Sequence, residues 1–139
     1  MSLLVDTSVW IEFFRSRPAL PTASLEIFSD LLADDQVVTI HPIRSELLSG
    51  SLDGTKKQRI AEALGAISLI DPDWNSPGLW GRTVEMAGIA RQKSLPIPGI
   101  VDRMVLIAAE KAGTGLWTLD RAMLKLASVL DVPILYPYP

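Results

Sequence analysis

The 139-residue chain has no cysteine and one histidine, His41. Without cysteine there is no disulfide framework and no thiolate metal centre. One imidazole is too little for an ordinary zinc site, and no Ser–His pair stands out as a covalent nucleophile. Long apolar runs are also missing: no segment approaches the roughly 20 residues that span a bilayer. The first apolar run is three residues, lacks a basic leader and stops at Asp6, which is not a secretory signal. A soluble, cytoplasmic protein with no membrane partner is expected. Neither sign of charge dominates, with 13 basic and 16 acidic residues and a net charge of −3. That argues mildly against nucleic-acid binding by the whole surface. Were four of the acids gathered in a metal site, the remainder would be close to neutral, and a nucleic-acid substrate stays open. What is present, 48% hydrophobic and 21% charged residues, is the composition of a folded globule. Residues 1–139 read as a single domain, of a size that buries roughly two-thirds of its unfolded surface.

Leu3-Leu4-Val5 is three branched apolar residues in a row, as in a parallel strand covered on both faces. Asp6 follows at once, and Thr7 to Phe14 turn into a helix. Carboxyl ends of strands are where open α/β sheets bind ligands. Asp6 is therefore a site residue or, more blandly, a helix N-cap.

The loop Arg15 to Pro21 leads to a helix that Thr22 could cap, with Leu25, Phe28 and Leu32 on one stripe, ended by Asp34-Asp35. Val37 to Ile40 is a second strand. A helix after His41-Pro42 carries Ile43 and Leu47 four apart, with Glu46 riding beside that stripe. A partly buried Glu46 needs a partner, either a base such as Arg44 or a site. Ser51 to Gly54 is a turn, and Thr55 opens a helix whose Lys56, Lys57 and Arg59 make a positive patch or a plain solvated face. Ile67 to Ile70 is a third strand. Ser76 and Pro77 start a helix in which Ala87, Gly88 and Ala90 suit close packing. Trp74 and Trp80 could stack on bases, though packing is the plainer use. Ile100 to Ala112 is apolar nearly all round and should be buried, with Asp102 in the dipole-favoured first turn. Leu116 to Thr118 is a fourth strand, Asp120 repeats the position of Asp6 ahead of a final helix, and Pro133 to Tyr136 offers an edge strand.

Alternating strands and helices predict an α/β fold, a parallel sheet of four to five strands flanked by helices. If the first and fourth strands are neighbours, Asp6, Glu46, Asp102 and Asp120 meet at one carboxyl-end crevice. Two carboxylates about 4 Å apart repel by roughly 4 kcal/mol near a protein surface. A divalent cation relieves that, and an all-oxygen ligand set selects Mg²⁺ or Mn²⁺.

Val5-Asp6-Thr7-Ser8-Val9-Trp10-Ile11, Glu46-Leu47, Asp102 with Leu106-Ile107-Ala108-Ala109, and Leu116-Trp117-Thr118-Leu119-Asp120 together resemble the PIN-domain ribonucleases, specifically VapC-type toxins. The resemblance runs through nearly the whole chain. It implies a Rossmann-like PIN fold, a catalytic set of Asp6, Glu46, Asp102 and Asp120, and Mg²⁺- or Mn²⁺-dependent RNA cleavage leaving 5′-phosphate and 3′-hydroxyl ends. Thr7 and Thr118 match the family's hydroxyl positions beside the acids. A homodimer and a cognate VapB-like antitoxin are implied as well. Met123 departs from the pattern, which often has an aromatic three residues after the fourth acid. Within this reading Asp6, Asp102 and Asp120 ligate the metal, Glu46 binds a second ion or orients the attacking water, and Arg15, Arg17, Lys56, Lys57 and Arg59 hold the RNA backbone. The competing readings are a haloacid-dehalogenase-like phosphatase with Asp6 as nucleophile, which usually wants an acid where Ser8 stands, and a non-catalytic interaction module.

Overall fold

A computed structural model describes residues 2–50 and 53–135. The elements run β1 (Leu3–Val5), α1 (Thr7–Phe14), α2 (Thr22–Ala33), β2 (Val37–Thr39), α3 (His41–Ser49), α4 (Gly54–Gly65), β3 (Ser68–Leu69), α5 (Pro77–Gln92), α6 (Ile100–Ala112), β4 (Gly115–Trp117) and α7 (Arg121–Val129). The sheet is wholly parallel in the order β3-β2-β1-β4. β1 is thus interior, paired with β2 on one side and β4 on the other, and its three residues are buried. The strand order reverses beside β1, which opens a crevice between the turns leaving β1 and β4.

β3 is shorter than the predicted 67–70, and both its residues are exposed because it forms the outer edge of the sheet. At the opposite edge the expected fifth strand is reduced to a bridge between Ile134 and Leu116, and Tyr136 lies outside the described residues. Two hydrogen bonds of 2.8 Å, Leu116 N to Pro133 O and Leu135 N to Leu116 O, hold that segment along β4. Pro133 has no N–H to extend the ladder.

Other boundaries shift for local reasons. α2 begins at Thr22 itself with Pro21 in the cap position. α4 is capped by Asp53, whose Oδ1 accepts from Lys56 N at 3.0 Å, so Thr55 lies inside the helix; Ser51 and Leu52 of the predicted turn lie outside the described residues. α6 is buried from Val105 to Ala109, but its first turn is open, with Ile100 46% exposed, because that turn forms a wall of the crevice. In α5, Ala90 is buried whereas the space around Gly88 is open, so close packing falls on only part of the small-residue run.

Phe28 of α2 anchors the aromatic part of the core. It meets Trp10, Phe13 and Trp117 edge to face, at ring separations of 5.0, 4.6 and 5.8 Å. These rings join α1, α2 and β4 beneath the crevice. α5 and α6 are tied by Arg82, which donates from Nε and Nη2 to the two oxygens of Glu110 at 3.0 and 2.7 Å.

Candidate functional site

Asp6 leaves β1 and occupies the N-cap position of α1, yet its carboxylate makes no cap bond. The bland reading of this residue therefore does not account for its side chain. Asp6 is 5% exposed, and a buried carboxylate needs donors. Oδ2 has two: Thr118 Oγ1 donates at 2.8 Å and Ser8 Oγ at 3.0 Å. Each hydroxyl also accepts a backbone amide, Asp120 N at 3.1 Å for Thr118 and Leu119 N at 3.1 Å for Ser8. Since those amides can only donate, both hydroxyl protons are directed at Asp6.

Asp120 sits at the equivalent place after β4 and does cap its helix, its Oδ1 accepting from Met123 N at 2.9 Å. Met123 itself is buried, with its Sδ 3.6 Å from Thr118 Oγ1. Glu46 is exposed rather than partly buried, a correction to the helical-stripe argument. Ser45, Glu46 and Ser49 together make an exposed flank of α3. Its Oε1 accepts from Thr7 Oγ1 at 3.1 Å, across 39 residues of sequence, and not from Arg44.

Asp102 registers the presence of the other three. Its pKa is raised to about 6, first by burial and then by the charges of Asp6, Asp120 and Glu46. The charges of Asp6, Asp120 and Glu46, from separate parts of the chain, thus all reach Asp102. The adjacent base does not relieve them, because Arg103 donates to the carbonyls of Pro98 (3.0 Å) and Thr83 (2.8 Å).

Among the described residues no three His, Cys, Asp or Glu side chains close into a ready ligand cluster. The donor chemistry still suits a hard cation. All four groups are oxygen acids, and Asp6 keeps Oδ1 without a hydrogen-bond partner among the described residues. Mg²⁺ is usually held by one or two carboxylates and retains several waters.

The proposed backbone-holding bases are not equivalent. Arg15 pairs with Glu12 at 2.7 Å, and Lys56 lies 3.9 Å from Asp53. The Arg59 guanidinium stacks 5.4 Å from the Phe14 ring centre, bringing the basic face of α4 to the end of α1. Arg17 and Lys57 are exposed. His41 is exposed and bonds Asp71 through Nδ1 at 3.0 Å, while Asp71 also accepts from Trp74 Nε1 at 2.7 Å. Trp80 donates to Trp74 O at 2.8 Å, so both indole N–H groups are engaged within the chain.

Ser8 is the functional position that sequence reasoning missed. Its signal is a hydroxyl two residues after the strand-end acid, at the start of a helix, where it can reach back to that acid.

In an open parallel α/β sheet, ligands bind outside the carboxyl ends of the strands at the switch point, which is where Asp6 and Asp120 stand. The PIN domain family matches residues 3–129, and the chain belongs to that family. Ribonuclease VapC11 of Mycobacterium tuberculosis is 32% identical over 74 residues, 50% of this chain and 53% of the relative. The chain thus spans about half the length of the curated relatives it matches. In fold it is similar to VapBC-1 from nontypeable Haemophilus influenzae, with TM-score 0.71, 20% identity and 100% of each chain covered. VapBC2 from Rickettsia felis, bound to a DNA fragment from its promoter, gives TM-score 0.71 at 17% identity, covering 97% of this chain and 98% of that one.

Proposed function

We propose that this chain is a divalent-cation-dependent endoribonuclease, the VapC-type toxin of a toxin–antitoxin pair, acting in the cytoplasm. The observation that carries the reading is the PIN-domain match over residues 3–129, and it is supported by the placement of Asp6, Asp120 and Glu46 where their charges bear on Asp102. Such a concentration of charge in a small domain is costly unless a cation offsets it. The 32% identity to a ribonuclease adds the substrate class. A single domain and a VapB-like partner are part of the same reading, the partner in keeping with the VapBC structures that share the fold. The apolar side chains of Trp80 and Val84, 42% and 71% exposed and one turn apart on α5, are in keeping with a homodimer. No helix among the described residues is long and apolar enough to cross a membrane.

Asp6, Asp102 and Asp120 would hold Mg²⁺ or Mn²⁺. When bound, such an ion lowers the pKa of water and polarises a phosphodiester oxygen. Thr118 and Ser8 orient Asp6 by donating two O–H bonds to its Oδ2. Glu46, steadied by Thr7, has Oε2 available to accept a hydrogen bond from the attacking water or to bind a second ion. Arg17 and Lys57 supply positive charge for the RNA backbone, with Arg15, Lys56 and Arg59 beside them.

Nothing in the crevice favours the phosphatase alternative, because Ser8 spends its only proton on Asp6. Incubation of a mixed cellular RNA pool with the protein and Mg²⁺, Mn²⁺ or chelator tests the proposal. Cleavage is expected with either ion, and its loss in chelator and in Asp6→Asn and Asp102→Asn. Cleavage that persists in chelator would refute it.

A further inference from the structure

Asp6 Oδ2 is fully committed. Its two donors approach from different elements, Ser8 from the first turn of α1 and Thr118 from the end of β4, and each donor is held by a backbone amide of the turn that carries Asp120. The carboxylate plane is therefore held from one side, and Oδ1 is the oxygen without a hydrogen-bond partner among the described residues. This matters for ion choice. Ca²⁺ takes six to eight oxygens in flexible geometry and favours carboxylates that use both oxygens, whereas Mg²⁺ takes six in near-octahedral geometry, mostly single carboxylate oxygens and water.

We propose that Ser8 is a positioning residue that confines Asp6 to one-oxygen ligation and thereby makes the crevice discriminate for Mg²⁺ and Mn²⁺ against Ca²⁺. This rests on the reading of the crevice as a divalent-cation site. Ser8 is distinct from Thr118 in what it joins. Its hydroxyl is the hydrogen bond from the start of α1 to Leu119, so it also sets how far the turn after β4 stands from Asp6. Removing it frees one of the two bonds on Oδ2 and lets the carboxylate rotate to offer both oxygens.

Isothermal titration of MgCl₂ and CaCl₂ into the metal-free protein tests this without any turnover. For Ser8→Ala, Mg²⁺ affinity should fall about tenfold, as for other residues that orient a metal ligand from outside the coordination sphere. Ca²⁺ affinity should hold or rise, so the preference for Mg²⁺ drops by about that factor. Ser8→Thr keeps the hydroxyl and should retain the wild-type preference. Ser8→Cys, of similar size with a weak S–H donor, should fall between, and serves if the alanine variant does not fold. An unchanged Mg²⁺-to-Ca²⁺ ratio in both Ser8→Ala and Ser8→Cys would overturn the role of Ser8 while leaving the cation site standing. Wild-type protein that binds neither ion would overturn the cation site itself, and with it both proposals.

Discussion

Replacing Asp102 by Asn removes the carboxylate whose charge its surroundings oppose, with little change of shape. The pKa of Asp102 rises from 3.8 to about 6 in the fold. At 1.36 kcal/mol per unit that is roughly 3 kcal/mol, and solvent screening at this partly exposed position reduces it to about 1 kcal/mol. The α6 dipole acts in the opposite sense, favouring an acid in the first turn by about 0.3–1 kcal/mol, but the raised pKa means that burial and like charge outweigh it. Asp102→Asn should therefore be more stable than wild type in chelator at pH 7.5, by about 1 kcal/mol or roughly 4 °C in melting temperature. Between pH 4 and 6 the native wild type binds more protons than the unfolded chain, so its stability falls as pH rises through that window. The advantage of the variant should accordingly fade as pH is lowered from 7 through 6 toward 4. With saturating Mg²⁺ the order should reverse, because binding stabilises wild type by mass action and the variant lacks a ligand. Thermal and urea unfolding at pH 7.5 and 4.5, with and without Mg²⁺, give all four numbers. A variant less stable than wild type in chelator at pH 7.5 would mean that Asp102 serves the helix dipole, and the crowded-acid reasoning would fail.

Thr118→Val deletes a donor to buried Asp6 and the acceptor of Asp120 N. A loss of about 1–3 kcal/mol in urea unfolding is expected, together with weaker Mg²⁺ binding; an unaltered urea midpoint would contradict the hydrogen-bond assignment. The double change Arg17→Ala, Lys57→Ala should weaken binding of a single-stranded RNA and lower the slope of log K against log salt by about 1.4. A slope equal to wild type would place the RNA elsewhere. Phe28→Ala, at the centre of the ring cluster, should cost about 3–5 kcal/mol by denaturant melt, and a cost under 1 kcal/mol would show that the cluster closes over the gap.

The interior strands were legible because Leu3-Leu4-Val5 and Val37-Val38 have no polar face, which only a sheet covered on both sides accommodates. β3 was harder to bound. Its apolar residues Ile67 and Ile70 are partly buried at the ends of a strand whose own two residues face solvent. Asp6 and Asp120 stood out by position, at the ends of apolar runs. What each carboxylate does was not legible, since one caps its helix and the other does not, a difference set by hydroxyls 2 and 112 residues away. The exposure of Glu46 depended on whether a neighbour covers that flank of α3. A helical repeat tells which residues share a face and not what lies opposite.

The central position of β1 also bears on synthesis. Val5 pairs with Trp117, and Asp6 takes its hydrogen bond from Thr118, so the first strand has no complete sheet around it until the ribosome has made and released the fourth. A nascent chain carries Asp6 and Glu46 before Asp102 and Asp120, so the four acids can come together only once Asp120 has been made. Premature termination before Trp117 would leave fragments whose sheet is open at β1 and prone to aggregate.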